Sequence, residues 1–206
     1  MKTKPQILYI HGGSTFSNRA DYLRFLKNRP VSSGERIRWN EAYLDRSLGA
    51  KCEIIRPKMP CPERAAYADW KVHLERHIPL LRDNVILAGT SLGGIFLARY
   101  LAENRFPKKI LSAYLICPPF DNTLPTEEIC CGFRLPRSLE LLEKNCDRLT
   151  LCFSSDDTTV PASHAKKYAR RLKKARILVY DNKNGHFKVP EFPELVRMIK
   201  SDLKDI

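Results

Sequence analysis

The sequence predicts an α/β fold: a three-layer α/β/α sandwich around a mostly parallel sheet of about six strands. Three observations predict it. Short apolar runs of β type alternate with longer runs of helical periodicity along the chain. Glycine and proline clusters punctuate the junctions. One strand, Val85 to Ala88, runs into a helix through the single tight turn Gly89-Thr90-Ser91-Leu92-Gly93. With 206 residues and 43% hydrophobic content, the chain is expected to form one domain over 1–206, large enough to bury a core without staples.

Gln6 to His11 (QILYIH) reads as the first strand and ends in the glycine turn Gly12-Gly13-Ser14. Arg19 to Asn28 is a helix with Ala20, Leu23 and Leu26 on its apolar stripe and Tyr22 and Phe25 beside it. Pro30 to Gly34 is a loop, and Ile37 to Leu48 a second helix that Gly49 stops. Lys51 to Arg56 is the second strand. The three prolines of Pro57–Pro62 (PKMPCP) force an extended loop. Ala65 to Leu81 is a long helix with Tyr67, Trp70, Leu74 and Ile78 on one face, shortened by Pro79. The third strand and its turn follow, with a helix from Leu92. Lys109 to Cys117 is the fourth strand. Pro118 to Pro136 holds four prolines; it is too long for a plain turn and too short for a cap domain. A short helix over Ser138–Asn145, a fifth strand over Leu149–Ser154, a helix over Pro161–Lys174 and a sixth strand over Arg176–Asp181 complete the alternation. Pro190 opens a closing helix that runs to Leu203.

Composition narrows the function classes. A formal charge of +13 favours anionic partners in general. No zinc-finger spacing and no glycine-aromatic RNA-binding signature is present, which disfavours nucleic acid. The basic residues of 161–174 share their helix with an apolar face of Ala165, Tyr168, Ala169 and Leu172, so they read as its wet side. The seven cysteines are odd in number and form no C-x-x-C. Cys52, Cys117 and Cys152 lie in apolar strands, as small hydrophobes do, and Cys130-Cys131 reads as a pair of loop thiols. This pattern points to a reducing compartment, hence a cytoplasmic location. The chain enters its first strand almost at once, leaving no room for a signal peptide. The longest apolar run, Ile110 to Cys117, is too short to span a bilayer. His73 and His77 frame H-L-E-R-H, not the zincin order, and read as a solvated helix face. His164 reads as exposed, and His11 as a packing or turn-bonding residue. No metal site and no organic cofactor is implied.

Ligands of open parallel sheets bind beyond the carboxyl ends of the strands. His11-Gly12-Gly13, Ser91, Cys117-Pro118, Asp156-Asp157 and His186 all fall there. The G-x-S-x-G turn has a chemical reason. Strand and helix backbones approach closely around it, so the positions two before and two after the serine cannot carry side chains. The serine is left exposed, with the N–H of Leu92 aimed into the same space at a helix N-terminus. A serine hydroxyl needs a base, and the base needs an orienting acid. Downstream, the acid candidates are Asp156 and Asp157, and the base candidate is His186 in Asn184-Gly185-His186-Phe187.

Together GTSLGG, DDTTVP and NGHF resemble the α/β-hydrolase fold. More narrowly they resemble the small cap-less serine hydrolases related to retinoblastoma-binding protein 9, and the likeness runs over nearly the whole chain, including the HGG start, the PKMPCP loop and the helix from Trp70. The resemblance implies a minimal α/β-hydrolase with a Ser-His-Asp triad: Ser91 as nucleophile, His186 as general base and then acid, and Asp157, four residues before Pro161 in D-x-x-V-P, as the acid. Asp156 stands as its competitor. An oxyanion hole needs two aimed N–H groups. Leu92 supplies one, and Gly13 is the candidate for the other, with Ser14 as the alternative because the chain reads HGGS rather than HGGG. The expected reaction is cleavage of a small-molecule carboxylic ester or thioester through an acyl-enzyme, at an open, shallow site. The competing reading is a hydrolase scaffold of weak or no activity that binds a protein partner, which the positive charge also suits.

Overall fold

The computed structural model describes residues 3–31, 33 and 38–205. The six strands are β1 (Gln6–Ile10), β2 (Glu53–Ile55), β3 (Val85–Thr90), β4 (Ile110–Ile116), β5 (Leu149–Ser154) and β6 (Arg176–Tyr180). All pair in parallel, in the order β2-β1-β3-β4-β5-β6. The helices are α1 (Arg19–Asn28), α2 (Leu44–Leu48), α3 (Tyr67–His77), α4 (Leu92–Glu103), α5 (Glu140–Asn145), α6 (Ser163–Ala169) and α7 (Pro193–Asp202). No cap domain is inserted among the described residues. No helix among the described residues is long and apolar enough to cross a membrane.

The strand alternation sorts the core into two layers. Leu8, Ile10, Val85, Leu87, Ala113, Leu115, Leu151 and Phe153 pack under α3, α4, α5 and α6, around the fully buried Trp70, Phe96, Phe133 and Tyr168. Ile7, Tyr9, Ile86, Ala88, Tyr114, Ile116 and Cys152 face the other way, onto α2 and α7 with Trp39, Phe192, Leu195 and Ile199. Each large side chain so buried contributes about 1.5–3 kcal/mol. The rings of Trp70, Phe96 and Phe133, with centroids 5.3 to 6.4 Å apart and Trp70 edge to face with both phenylalanines, fix the first layer. β4 is apolar except at Ser112 and buried throughout, as a central parallel strand should be.

Several elements are shorter than the sequence suggests. The expected 37–48 helix is a wide turn at Trp39–Tyr43, broken at Glu41 (φ −111°, ψ −109°), followed by one turn of α2. Ile37, and Ser32 and Gly34 of the loop before it, lie outside the described residues. α3 stops at His77, and Pro79 sits in a 3-10 turn beyond it. α7 begins at Pro193 rather than Pro190. α6 ends at Ala169, which leaves Ala169 exposed while Leu172 turns back into the core. His164 is fully buried, not exposed. Its Nδ1 accepts from the Phe120 N–H at 2.9 Å, which ties α6 to the loop after β4.

Candidate active site

The topology puts the G-x-S-x-G turn at the switch point. From β1 the chain goes outward to β2, then returns to the other side of β1 as β3. At the carboxyl end of β3, Ser91 takes φ 54° and ψ −118°, a backbone conformation that L side chains rarely adopt. What holds it there is a lack of room for anything else. A Cβ on Gly93 would lie within 2.5 Å of the Ile10 and His11 carbonyl oxygens, and one on Gly89 would lie 2.5 Å from the Gly93 carbonyl oxygen. The Ser91 N–H donates to the Ile116 carbonyl at 2.8 Å, fixing the turn against β4. Ser91 is 9% exposed. Among the described residues its Oγ has no hydrogen-bond partner.

The His11-Gly12-Gly13-Ser14 turn lies beside it. A Cβ on Gly12 would be 3.4 Å from the Ser91 Cβ, and one on Gly13 3.1 Å from Leu92 Cδ2. The Ser14 N–H is spent on the Pro62 carbonyl at 2.8 Å, which leaves Gly13 as the better placed of the two alternatives. His11 is held structurally: Nδ1 bonds the Gly12 carbonyl at 2.6 Å, Nε2 accepts from the Met59 N–H, and the ring meets Trp70 edge to face.

Past β5, the two aspartates separate in space. The Asp157 side chain is wholly buried. Its Oδ1 accepts the N–H groups of Thr159 and Val160 at 2.8 and 2.9 Å, and its Oδ2 lies 2.7 Å from His186 Nδ1. Asp156 does something else: it accepts from the Gly185 N–H at 2.7 Å, the Lys183 N–H at 3.1 Å and the Ser154 hydroxyl. The Gly185 and Ser154 bonds foremost hold its pKa down to about 2. Asp156 thus clamps the histidine loop, and Asp157 meets the histidine.

His186 Nε2 faces a group that strand composition alone marks only as a buried hydrophobe. Cys117 Sγ lies 3.7 Å from it. Burial opposes charge on His186, but Cys117 and the hydrogen-bonded Asp157 outweigh it and hold the imidazole well above its ordinary value. The crevice wall is braced over residues 118–136. Thr15 Oγ1 donates to the Glu128 carbonyl and accepts from the Cys130 N–H, and Lys167 pairs with Asp121 at 2.8 Å. A cavity of about 390 Å³, lined by Tyr114, Arg148 and Asp202 among others, lies at the opposite end of the sheet. Its charges neutralise one another, Arg148 meeting both Asp202 and Asp205.

The fold and this arrangement define the α/β-hydrolase class. The product of the ydeN gene of B. subtilis superposes with a TM-score of 0.77 at 20% identity, covering 98% of this chain and all of that one. A metagenome-derived lipolytic enzyme from the LipS and LipT work superposes with a TM-score of 0.63 at 14% identity, covering 98% and 94%. In sequence, the chain is 29% identical over 166 residues to the serine hydrolase RBBP9 of Rattus norvegicus, covering 80% of this chain and 84% of the rat protein. The family described as "Serine hydrolase" matches residues 33–194, and the chain belongs to it.

Proposed function

We propose that the protein cleaves small carboxylic esters or thioesters, with Ser91 as nucleophile, His186 as base and Asp157 as orienting acid. The observation that carries the reading is the joint occurrence of a positive-φ Ser91 at the switch point and an Asp157–His186 hydrogen bond of 2.7 Å beyond β5 and β6, at the same end of the sheet.

Asp157, held by two backbone N–H groups, keeps the proton of His186 on Nδ1, so Nε2 is free to act as base. Nε2 takes the proton of Ser91 as Oγ attacks the acyl carbon, the two atoms coming within hydrogen-bond reach in the substrate complex. The N–H groups of Leu92 and Gly13 receive the oxyanion, each contributing about 3–4 kcal/mol of transition-state stabilisation. The imidazolium then protonates the leaving alcohol or thiol, and water, activated by the same nitrogen, releases the acid. The wall formed by residues 15–18 and 118–136 is braced by Thr15 and His164. Seven free cysteines fit a reducing compartment such as the cytoplasm. The alternative of a pure protein-binding scaffold has only the charge of +13 behind it.

A fluorophosphonate probe tests the reading directly. Wild type should be labelled on Ser91, and Ser91→Ala should not be labelled. Folded wild-type protein that stays unlabelled, or labels as well as Ser91→Ala, overturns it.

A further inference from the structure

Cys117 is placed as if it were a second residue of the site. It follows β4 directly, as Ser91 follows β3, and the pairing Thr90↔Ile116 sets the two residues side by side. Like Ser91 it has positive φ, 41°, which is strained for a residue bearing a Cβ. It is fully buried, 3.7 Å from His186 Nε2. Ligand atoms of Cys117, His186 and Asp157 all lie within 4.8 Å of one another. This is a cysteine–histidine–aspartate constellation built around the same imidazole that faces the crevice.

We propose that Cys117 is an oxidation site: a small hydroperoxide converts its thiol to a sulfenic acid, and the oxidised sulfur then occupies His186. In the step, His186 Nε2 takes the thiol proton as Sγ attacks the distal oxygen of the peroxide. An S–O bond forms and the O–O bond breaks. Sulfur loses two electrons, the peroxide gains them, and the imidazolium proton goes to the departing oxygen, which leaves as water from hydrogen peroxide. The S–O–H group hydrogen-bonds to Nε2, so the base no longer serves Ser91. Two molecules of a small thiol reverse the change, giving the thiol, a disulfide and water.

The surroundings make this thiol different from the others. Thiolate, not thiol, is the nucleophile. Burial pushes Cys52 up, and Cys146 and Cys152 up to about 12; burial, with Cys131 and Glu128 adding to it, puts Cys130 at about 11. Cys117 is as buried as any of these, with the His186 imidazole nitrogen 3.7 Å from its sulfur. Hydrogen peroxide is small and uncharged, and the His186 side chain, whose Nε2 lies 3.7 Å from Sγ, is 17% exposed.

The test exposes the full chain to hydrogen peroxide with dimedone present and maps the adducts by peptide mass. Without dimedone, fluorophosphonate labelling of Ser91 is read before and after dithiothreitol. Dimedone should trap Cys117 about tenfold or more faster than Cys61 or Cys131, and trapping should slow in His186→Asn. Labelling should fall with peroxide and return with dithiothreitol, while Cys117→Ser and Cys117→Ala each keep their own starting level. Adducts on Cys61, Cys130 or Cys131 without Cys117, or loss of labelling at the wild-type rate in both Cys117 variants, overturns the proposal. The activity arm rests on His186 acting as the base of Ser91. The mapping arm needs no hydrolysis, so an unreactive Cys117 and a failure of the hydrolase reading give different results.

Discussion

Replacing Asp157 with asparagine removes one charge and almost no volume. The structure dictates how the new amide must sit. Oδ1 accepts two backbone N–H groups, from Thr159 and Val160. An NH2 group turned toward them would face two donors, so the amide oxygen stays on that side. The NH2 is then forced toward His186 Nδ1, 2.7 Å away in wild type. Nδ1 must become an acceptor, which moves the ring proton to Nε2. A histidine with its proton on Nε2 cannot take one from Ser91. The expected loss in kcat/KM is about 10³–10⁴-fold, or about 4–5.5 kcal/mol of transition-state stabilisation. Initial rates on p-nitrophenyl acetate at pH 8 measure it, with circular dichroism to show that the fold persists. Asp156→Asn is the internal comparison, since its carboxylate contacts Gly185 and Lys183 but not the ring; it should cost less. A loss below about tenfold for Asp157→Asn, in folded protein, would refute the tautomer argument.

The pH profile carries a sign. His186 must be neutral to act as base, and its pKa is raised, so kcat/KM should climb with pH through a midpoint above about 6.5. Asp157 and, on the 118–136 segment, Glu127 are the carboxylates that act on His186. The same shift makes the protonated form more stable when folded: its contribution is whole below about 6.5 and is lost as pH rises through the folded-state value. A flat profile between pH 5 and 9, or a midpoint below 6.5, counts against His186. Gly93→Ala tests the elbow itself. Its Cβ would meet the Ile10 and His11 carbonyls within 2.5 Å, costing about 1–3 kcal/mol of stability and lowering Tm by about 2–12 °C. Because the push falls on the turn that holds Gly13, labelling by the fluorophosphonate should fall as well; an unchanged Tm would mean that β1 and α4 can separate freely.

The sheet was legible because each strand announces itself locally. β-type apolar runs, separated by glycine and proline, need no tertiary information to be recognised. Ser91 was legible for the same reason: its two glycines and the strand before it are contiguous. Asp157 was harder. Both aspartates follow β5, and only three-dimensional contact separates the one that meets His186 from the one that clamps its loop. Cys117 was legible as a strand-end residue at the crevice but not as a partner of the histidine, because its neighbour Ser91 is reached across the β3–β4 pairing and His186 lies 69 residues away. His164 stands four residues before Tyr168 on the apolar side of α6, but a histidine there does not announce its burial; the loop after β4, folding onto the first turn, completes it. A proline two residues before Phe120 and a histidine at a helix start are too common to signal such a bond.

The position of β6 has a consequence for how the protein fails. β3, β4 and β5 are buried along almost their whole length, but β6, like β2 at the other side, is an edge of the sheet, with Arg176 and Val179 exposed and its remaining residues half-buried. His186 hangs from that edge. A parallel sheet frays from its least covered strand, at a free-energy cost well below that of global unfolding. Lifting β6 would carry the histidine loop away from Asp156 and Asp157 while β1, β3 and β4, with Ser91 on them, stayed folded. Ser91 labelling should therefore be lost on heating at a lower temperature than the one that melts the sheet, and return on cooling.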